Sequence, residues 1–114
     1  MSLTLSQLLG LQREFDLAHA GRLPFFVEIG EENIGELEHL IVCILGELGE
    51  FSNIVKKVRR GDMSLADAKG ALDEELVDVF IYLLKMAGQF SVDLESGFLD
   101  KMKRNTVRFE KYRI

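Results

Sequence analysis

Residues 39–55 read HLIVCILGELGEFSNIV, and the fold turns on how that run is taken. It is too long for a strand, and its large apolar side chains return every three or four residues, the spacing that gathers them on one side of an α-helix. Followed outward, the same period starts at Ile34 and continues through Leu37, Ile41, Ile44, Leu45, Leu48, Phe51, Ile54 and Val55 to Val58. The spacing predicts a helix over about 31–60, stopped by Gly61-Asp62. Inside it sit residues that a helix core does not favour. Gly46 and Gly49 each cost roughly 1 kcal/mol against alanine. Glu47 and Glu50, three apart, place two negative charges side by side in an apolar run.

The rest of the chain has the same period. Leu5, Leu8, Leu9, Leu11, Phe15 and Leu17 give an apolar stripe for a helix over about 4–20, with Thr4 or Ser6 as its cap. GRLPFFVEIG, residues 21–30, holds the one proline, Pro24, and reads as a loop. Ser64 with Asp67 makes a capping pair for a helix over about 65–90, with a break expected near Gly70. Its apolar side is Leu72, Leu76, Val79, Phe80, Leu83, Leu84 and Met86. Asp93 caps a last helix over about 94–112. The expected architecture is an all-α four-helix bundle with long helices, one domain over 1–114. The second and third helices are apolar around much of their circumference, more than one small bundle buries, so a homo-oligomer is expected, dimer or tetramer.

Composition narrows the functions. The net charge of −5 disfavours a nucleic-acid polymer as partner. The cations are nonetheless clustered: of 14 Lys and Arg residues, four fall in KKVRR at 56–60 and six in KMKRNTVRFEKYR at 101–113, while acids dominate 28–50. That division suits an anionic ligand held through a bound cation. A single cysteine, Cys43, on an apolar stripe allows no intrachain disulfide and no Cys-rich zinc site. No run of about 20 apolar residues would span a membrane, and no cleavable leader pattern opens the chain, so the expected location is cytoplasmic.

Glu75 and Asp78, in EELVDVFIYLL at 74–84, repeat on the third helix the spacing of Glu47 and Glu50 on the second. One acid pair on a helix is commonly a solvated face. Two pairs on consecutive helices, each among large apolar residues, are less so. Antiparallel packing would bring four carboxylates together, and a divalent cation is the simplest compensation. An all-oxygen ligand set points to Mg²⁺, with Mn²⁺ as the alternative. A glycine on either side of Leu48 would leave room for a neighbouring helix or a metal-bound phosphate. On the last helix Lys101, Asn105, Arg108 and Tyr112 share one face, where cations would meet phosphate oxygens and Asn105 the base, sugar or phosphate. Lys57, two turns beyond Glu50, is a further phosphate candidate, and Tyr82, one turn after Asp78, a pocket residue. Glu36 and His39 lie upstream on roughly the Glu47 face and are candidates to meet a nucleoside.

GELGE at 46–50, EELVDVFIYLL at 74–84 and DLESGFLDKMKRNTVRF at 93–109 together resemble the MazG-like all-α nucleoside triphosphate pyrophosphohydrolases. The resemblance covers about 33–109. It implies an acid pair on each of two helices, Glu47 and Glu50 then Glu75 and Asp78, followed by Lys101 and Asn105 on the last. It also implies Mg²⁺-dependent cleavage of an NTP or dNTP between the α and β phosphates, giving a nucleoside monophosphate and pyrophosphate, in the house-cleaning of noncanonical nucleotides. Glu47 and Glu50 would be the catalytic pair, and Glu47 the first choice for accepting a proton from water. Relatives that prefer deoxycytidine nucleotides have tryptophan near the base pocket, whereas this chain has no Trp, which leaves Phe15, Phe25 or Phe26 to stack on a base. A phosphoribosyl-ATP pyrophosphatase shares the acid pattern, though the longer N-terminal segment argues against it. A noncatalytic helical module that binds a nucleotide or a partner is the alternative from another class, and a structural oligomerisation bundle a third.

Overall fold

Thr4 starts the first helix of the computed structural model, which describes residues 2–114. Its hydroxyl accepts the Gln7 N–H at 3.1 Å, while Gln7 Oε1 accepts the Thr4 N–H at 2.8 Å, so two donors at the helix start are satisfied reciprocally. Helix α1 is Leu5–Leu17, α2 Gly35–Arg59, α3 Leu65–Gln89 and α4 Leu94–Arg108, with single 3-10 turns at Glu31–Asn33 and Glu110–Tyr112. No strand occurs among the described residues, and no helix is long and apolar enough to cross a membrane.

The helix ends differ from the sequence expectations for local reasons. α1 stops at Leu17 rather than 20, and the His19 ring Nδ1 lies 2.6 Å from the Phe15 carbonyl, partnering an oxygen that a longer helix would have bonded. The turn before α2 is 3-10 because Asn33 competes for the backbone: its Oδ1 accepts the Gly30 N–H at 2.7 Å and its Nδ2 donates to the Glu28 carbonyl at 3.0 Å. α2 ends as expected, with Asp62 N–H donating to Lys57 O and Gly61 N–H to Val58 O around a left-handed Gly61 at φ 83°. α3 runs unbroken through Gly70, and Ser64 and Asp93 cap α3 and α4.

The short connection at 60–64 folds α3 back along α2, and the two pack over their length. α1 lies on α3, and α4 meets chiefly α1. The loop between α1 and α2 is pinned to the end of α3, where Gln89 Nε2 donates to Phe25 O and Ile29 N–H to Gln89 O. The fully buried apolar side chains are few: Ile29, Leu40, Ala68, Leu72, Leu84 and Ala87. The radius of gyration is 17.6 Å, against about 13 Å for a closed domain of this length. The four helices are therefore present, but a single chain does not close them into a bundle. Ile41, Val42 and Leu45 of α2, Leu76, Val77 and Phe80 of α3, and Phe98, Leu99 and Met102 of α4 remain exposed. The stripe expected on α1 is also rotated. Leu5, Leu8, Leu9, Gln12 and Asp16 turn inward, whereas Leu11, Phe15 and Leu17 are more than half exposed.

Candidate metal centre

Packing of α2 against α3 brings Glu47, Glu75 and Asp78 together. Each offers one carboxylate oxygen to a group whose members all lie within 4.8 Å of one another. All three residues are half-buried, in the middle of two long helices. Glu50 is exposed and falls outside this group, although it is near enough to Glu75 to act on its ionisation. Of the four predicted ligands, three thus converge closely and the fourth stands at the rim.

The electrostatics are those of a cluster that wants a cation. The Glu75 carboxyl is pushed up from 4.5 to about 7, first by its contact with the Glu47 carboxyl, then by burial, then by Glu50. Glu75 Oε2 is buried with no hydrogen-bond partner. A buried acceptor without a donor, among other acceptors, fits a hard cation with oxygen ligands, and no cysteine or histidine belongs to the group. Burial pushes the Tyr82 hydroxyl up as well, with Cys43, Glu47 and Asp78 adding to it. A Cβ placed on Gly46 or Gly49 would meet nothing within 4 Å, so the two glycines beside the acids face open space within the chain rather than a tightly packed helix.

One cavity adjoins the carboxylates, and a second shares Phe25, Tyr82 and Lys85 with it. The first, of about 260 Å³, is lined by Glu47 and Asp78 together with Gln12, Phe15, Asp16, Phe25, Ile81, Tyr82 and Lys85. The other, of about 280 Å³, continues past Tyr82, Phe25 and Lys85 to Glu36, His39, Cys43 and Gln89. Tyr82, Glu36 and His39 therefore lie where a pocket needs them, and His39 Nε2 is 3.7 Å from Cys43 Sγ. Cys43 is half-buried, as its apolar stripe suggested. Phe15, His19 and Phe25 stack in succession, with centroids 4.2 Å and 5.4 Å apart, beside the first cavity. Phe26 lies instead under the Arg13 guanidinium.

The last helix does not join this site within one chain. Neither cavity has a residue of α4 in its lining. Lys101 lines an apolar groove with Phe80, Leu83 and Phe98, and Phe80, two residues beyond Asp78, is about 200° away from it around α3. Asn105 is half-buried, Arg108 stands over its neighbour Phe109, and Lys57 is exposed on α2.

Sequence reasoning missed a buried ion pair at the cavity wall. Lys85 Nζ donates to Asp16 Oδ1 at 2.8 Å, with side-chain exposures of 14% and 1%. Gln12 Nε2 donates to the same oxygen at 3.0 Å. A signal for it was present. Asp16 continues the Leu5, Leu9, Gln12 phase of α1, and Lys85 the Asp78, Tyr82 phase of α3, so two charges sit at core phases on helices that pack together.

The chain is similar over 89 residues, 75% of its length, to curated proteins named dCTP pyrophosphatase 1. It is 32% identical to that of Homo sapiens and 30% identical to those of Mus musculus and Bos taurus. It spans about half the length of the curated relatives it matches, 52% of the human protein and 53% of the bovine one. No family model and no solved structure matches it.

Proposed function

We propose that this protein is a MazG-like, Mg²⁺-dependent nucleoside triphosphate pyrophosphohydrolase, a single domain over 1–114 that releases pyrophosphate from an NTP or dNTP in the cytoplasm. The observation that carries the reading is the convergence of Glu47, Glu75 and Asp78 within 4.8 Å around a buried, partnerless oxygen. Similarity to proteins named dCTP pyrophosphatase 1 supports the same chemistry. Glu47, Glu75 and Asp78 hold the ion, and Glu50 joins them from the rim. Bound there, Mg²⁺, or Mn²⁺ in its place, supplies positive charge to the phosphate oxygens.

Glu47 lines the cavity and is the first candidate to accept a proton from the attacking water. Water adds at phosphorus, the bond to the α–β bridging oxygen breaks, and pyrophosphate leaves with the bonding pair. Tyr82, standing between the two cavities, orients the nucleotide. Lys101, Asn105, Arg108 and Lys57 bind phosphate oxygens. Since α4 lies away from the acids of its own chain, Lys101 and Asn105 serve the site of a second copy, and the exposed apolar faces of α2 and α3 form the interface of a dimer or tetramer.

Incubation with a panel of ribo- and deoxyribonucleoside triphosphates and Mg²⁺ tests the reading. Equal amounts of monophosphate and pyrophosphate are expected, and none in EDTA. Release of orthophosphate, or saturable binding without turnover with either Mg²⁺ or Mn²⁺, would replace the enzyme with another activity or with a noncatalytic nucleotide-binding module.

A further inference from the structure

Asp16 has one oxygen too many for its partners. Oδ1 takes both donors, Lys85 Nζ and Gln12 Nε2, while Oδ2 is buried with no partner at all. An ionised carboxylate that is 1% exposed does not leave an oxygen unpaired without cost. Asp16 lines the same cavity as Glu47 and Asp78. Lys85, which holds it, is seven residues beyond Asp78 on α3, about 10 Å along the helix axis. That is close to the span of a nucleoside whose phosphates stay with the acids.

We infer that Asp16 selects the base: its free oxygen accepts an N–H from the exocyclic group farthest from the sugar, favouring bases with an amino group there, cytosine and adenine, over those with a carbonyl. This rests on the nucleotide reading of the site given above. The position opposite the sugar distinguishes the bases chemically. Cytosine N4 and adenine N6 donate there, whereas uracil, thymine and guanine present an oxygen, and an oxygen facing the buried Asp16 acceptor with no proton between them is repelled. Lys85 cannot reverse the preference. Its ammonium is committed to Asp16 Oδ1 and stands over the Phe25 ring, 5.3 Å from the centroid. The half-exposed rings of Phe15 and Phe25 border the cavity and supply apolar faces for the base.

The test compares kcat/KM for dCTP and dUTP, followed by pyrophosphate release with Mg²⁺, in the wild type, in Asp16→Asn and in Asp16→Asn with Lys85→Gln. Asparagine keeps the shape, and its amide nitrogen presents a donor where Oδ2 presented an acceptor. The wild type is expected to prefer dCTP. The dCTP-to-dUTP ratio should fall by about tenfold to a hundredfold in the variants, the worth of one hydrogen bond to a charged group. The double variant avoids leaving Lys85 buried without a counter-charge, so it covers the case in which the single one does not fold. An unchanged ratio, or a wild type indifferent to the base, overturns the role of Asp16 while leaving the pyrophosphohydrolase standing. If the wild type turns over no nucleotide, the functional reading falls. Equilibrium binding of dCMP and dUMP to the wild type then decides the base preference alone: tighter binding of dCMP upholds it, equal binding overturns it.

Discussion

The carboxyl of Glu75 lies against that of Glu47, and with Asp78 the two confine three carboxylate oxygens to a span of 4.8 Å. Like charges so close do not all ionise without compensation, and in the metal-free protein the compensation is a proton. The same oxygens bind either a proton or a divalent ion, so pH and Mg²⁺ compete for one place.

The competition sets the sign of the pH dependence. Glu75 is raised from 4.5 to about 7, so between those values the folded chain holds a proton that the unfolded chain has released. Metal-free stability should fall as pH rises from about 4.5 to 7. Asp93 acts oppositely, because hydrogen bonds from Ser96 lower it below 3.8, and its contribution is lost as pH falls through that lowered value. Thermal melts in EDTA should show a maximum on the acid side of neutrality. With Mg²⁺ added, the increase in Tm should grow as pH rises through 7. A metal-induced shift independent of pH would exclude Glu75 as the group displaced.

Glu75→Gln separates the two ligands of the cluster. The amide removes one charge and can donate to Glu47, so the EDTA-treated variant should melt no lower than the wild type, and its Tm should lose its fall between pH 5 and 7. Mg²⁺ should no longer raise Tm, and pyrophosphate release should drop by several orders of magnitude. Circular dichroism confirms that the helices persist. Retention of the Mg²⁺ shift would place the ion elsewhere.

Lys85→Met breaks the pair with Asp16. The cost is set by the carboxylate left behind, which is almost wholly buried, and removing one partner of a buried pair typically costs about 3–5 kcal/mol. Asp16→Leu combined with Lys85→Met should regain most of that loss, because a neutral apolar pair leaves no charge unpaired. Urea denaturation of the four proteins in the cycle measures the coupling. A single-variant cost below about 1 kcal/mol would mean that water reaches Asp16 readily.

The legibility of the chain follows from what each residue depends on. Helix identity and caps depend on near neighbours, so Thr4, Ser64, Asp93 and the Gly61 stop could all be read in advance. The convergence of acids was legible because Glu75 and Asp78 repeat on α3 the spacing of Glu47 and Glu50 on α2, each pair among apolar residues. The inward face of α1 was not. Counting only apolar residues put Leu11 and Phe15 on the stripe and passed over Gln12 and Asp16, whose burial depends on Lys85, 69 residues away in sequence. The openness of the bundle was equally hidden, since periodicity shows how wide an apolar face is but not whether its partner is the same chain.

Lys101 shares a groove with Phe80 and Leu83, on the side of α3 turned away from Asp78, and lines neither cavity beside the acids of its own chain. If it serves those of a second copy, two inactive variants can repair each other. Glu75→Gln destroys the acid cluster of its own chain and leaves Lys101 intact, while Lys101→Ala does the reverse. Each should be inactive by itself. In a mixed dimer, one site combines both defects and the other neither. Random reassortment of equal amounts should therefore recover roughly a quarter of wild-type turnover, half the dimers being mixed and one of the two sites in each intact. Light scattering should report a dimer or tetramer for all three samples. Recovery should depend on exchange of subunits, appearing after unfolding and refolding together and not on simple mixing where exchange is slow. An oligomer that reassorts and stays inactive would mean that each site takes its phosphate contacts from its own chain, and that α4 must move toward the acids when nucleotide binds.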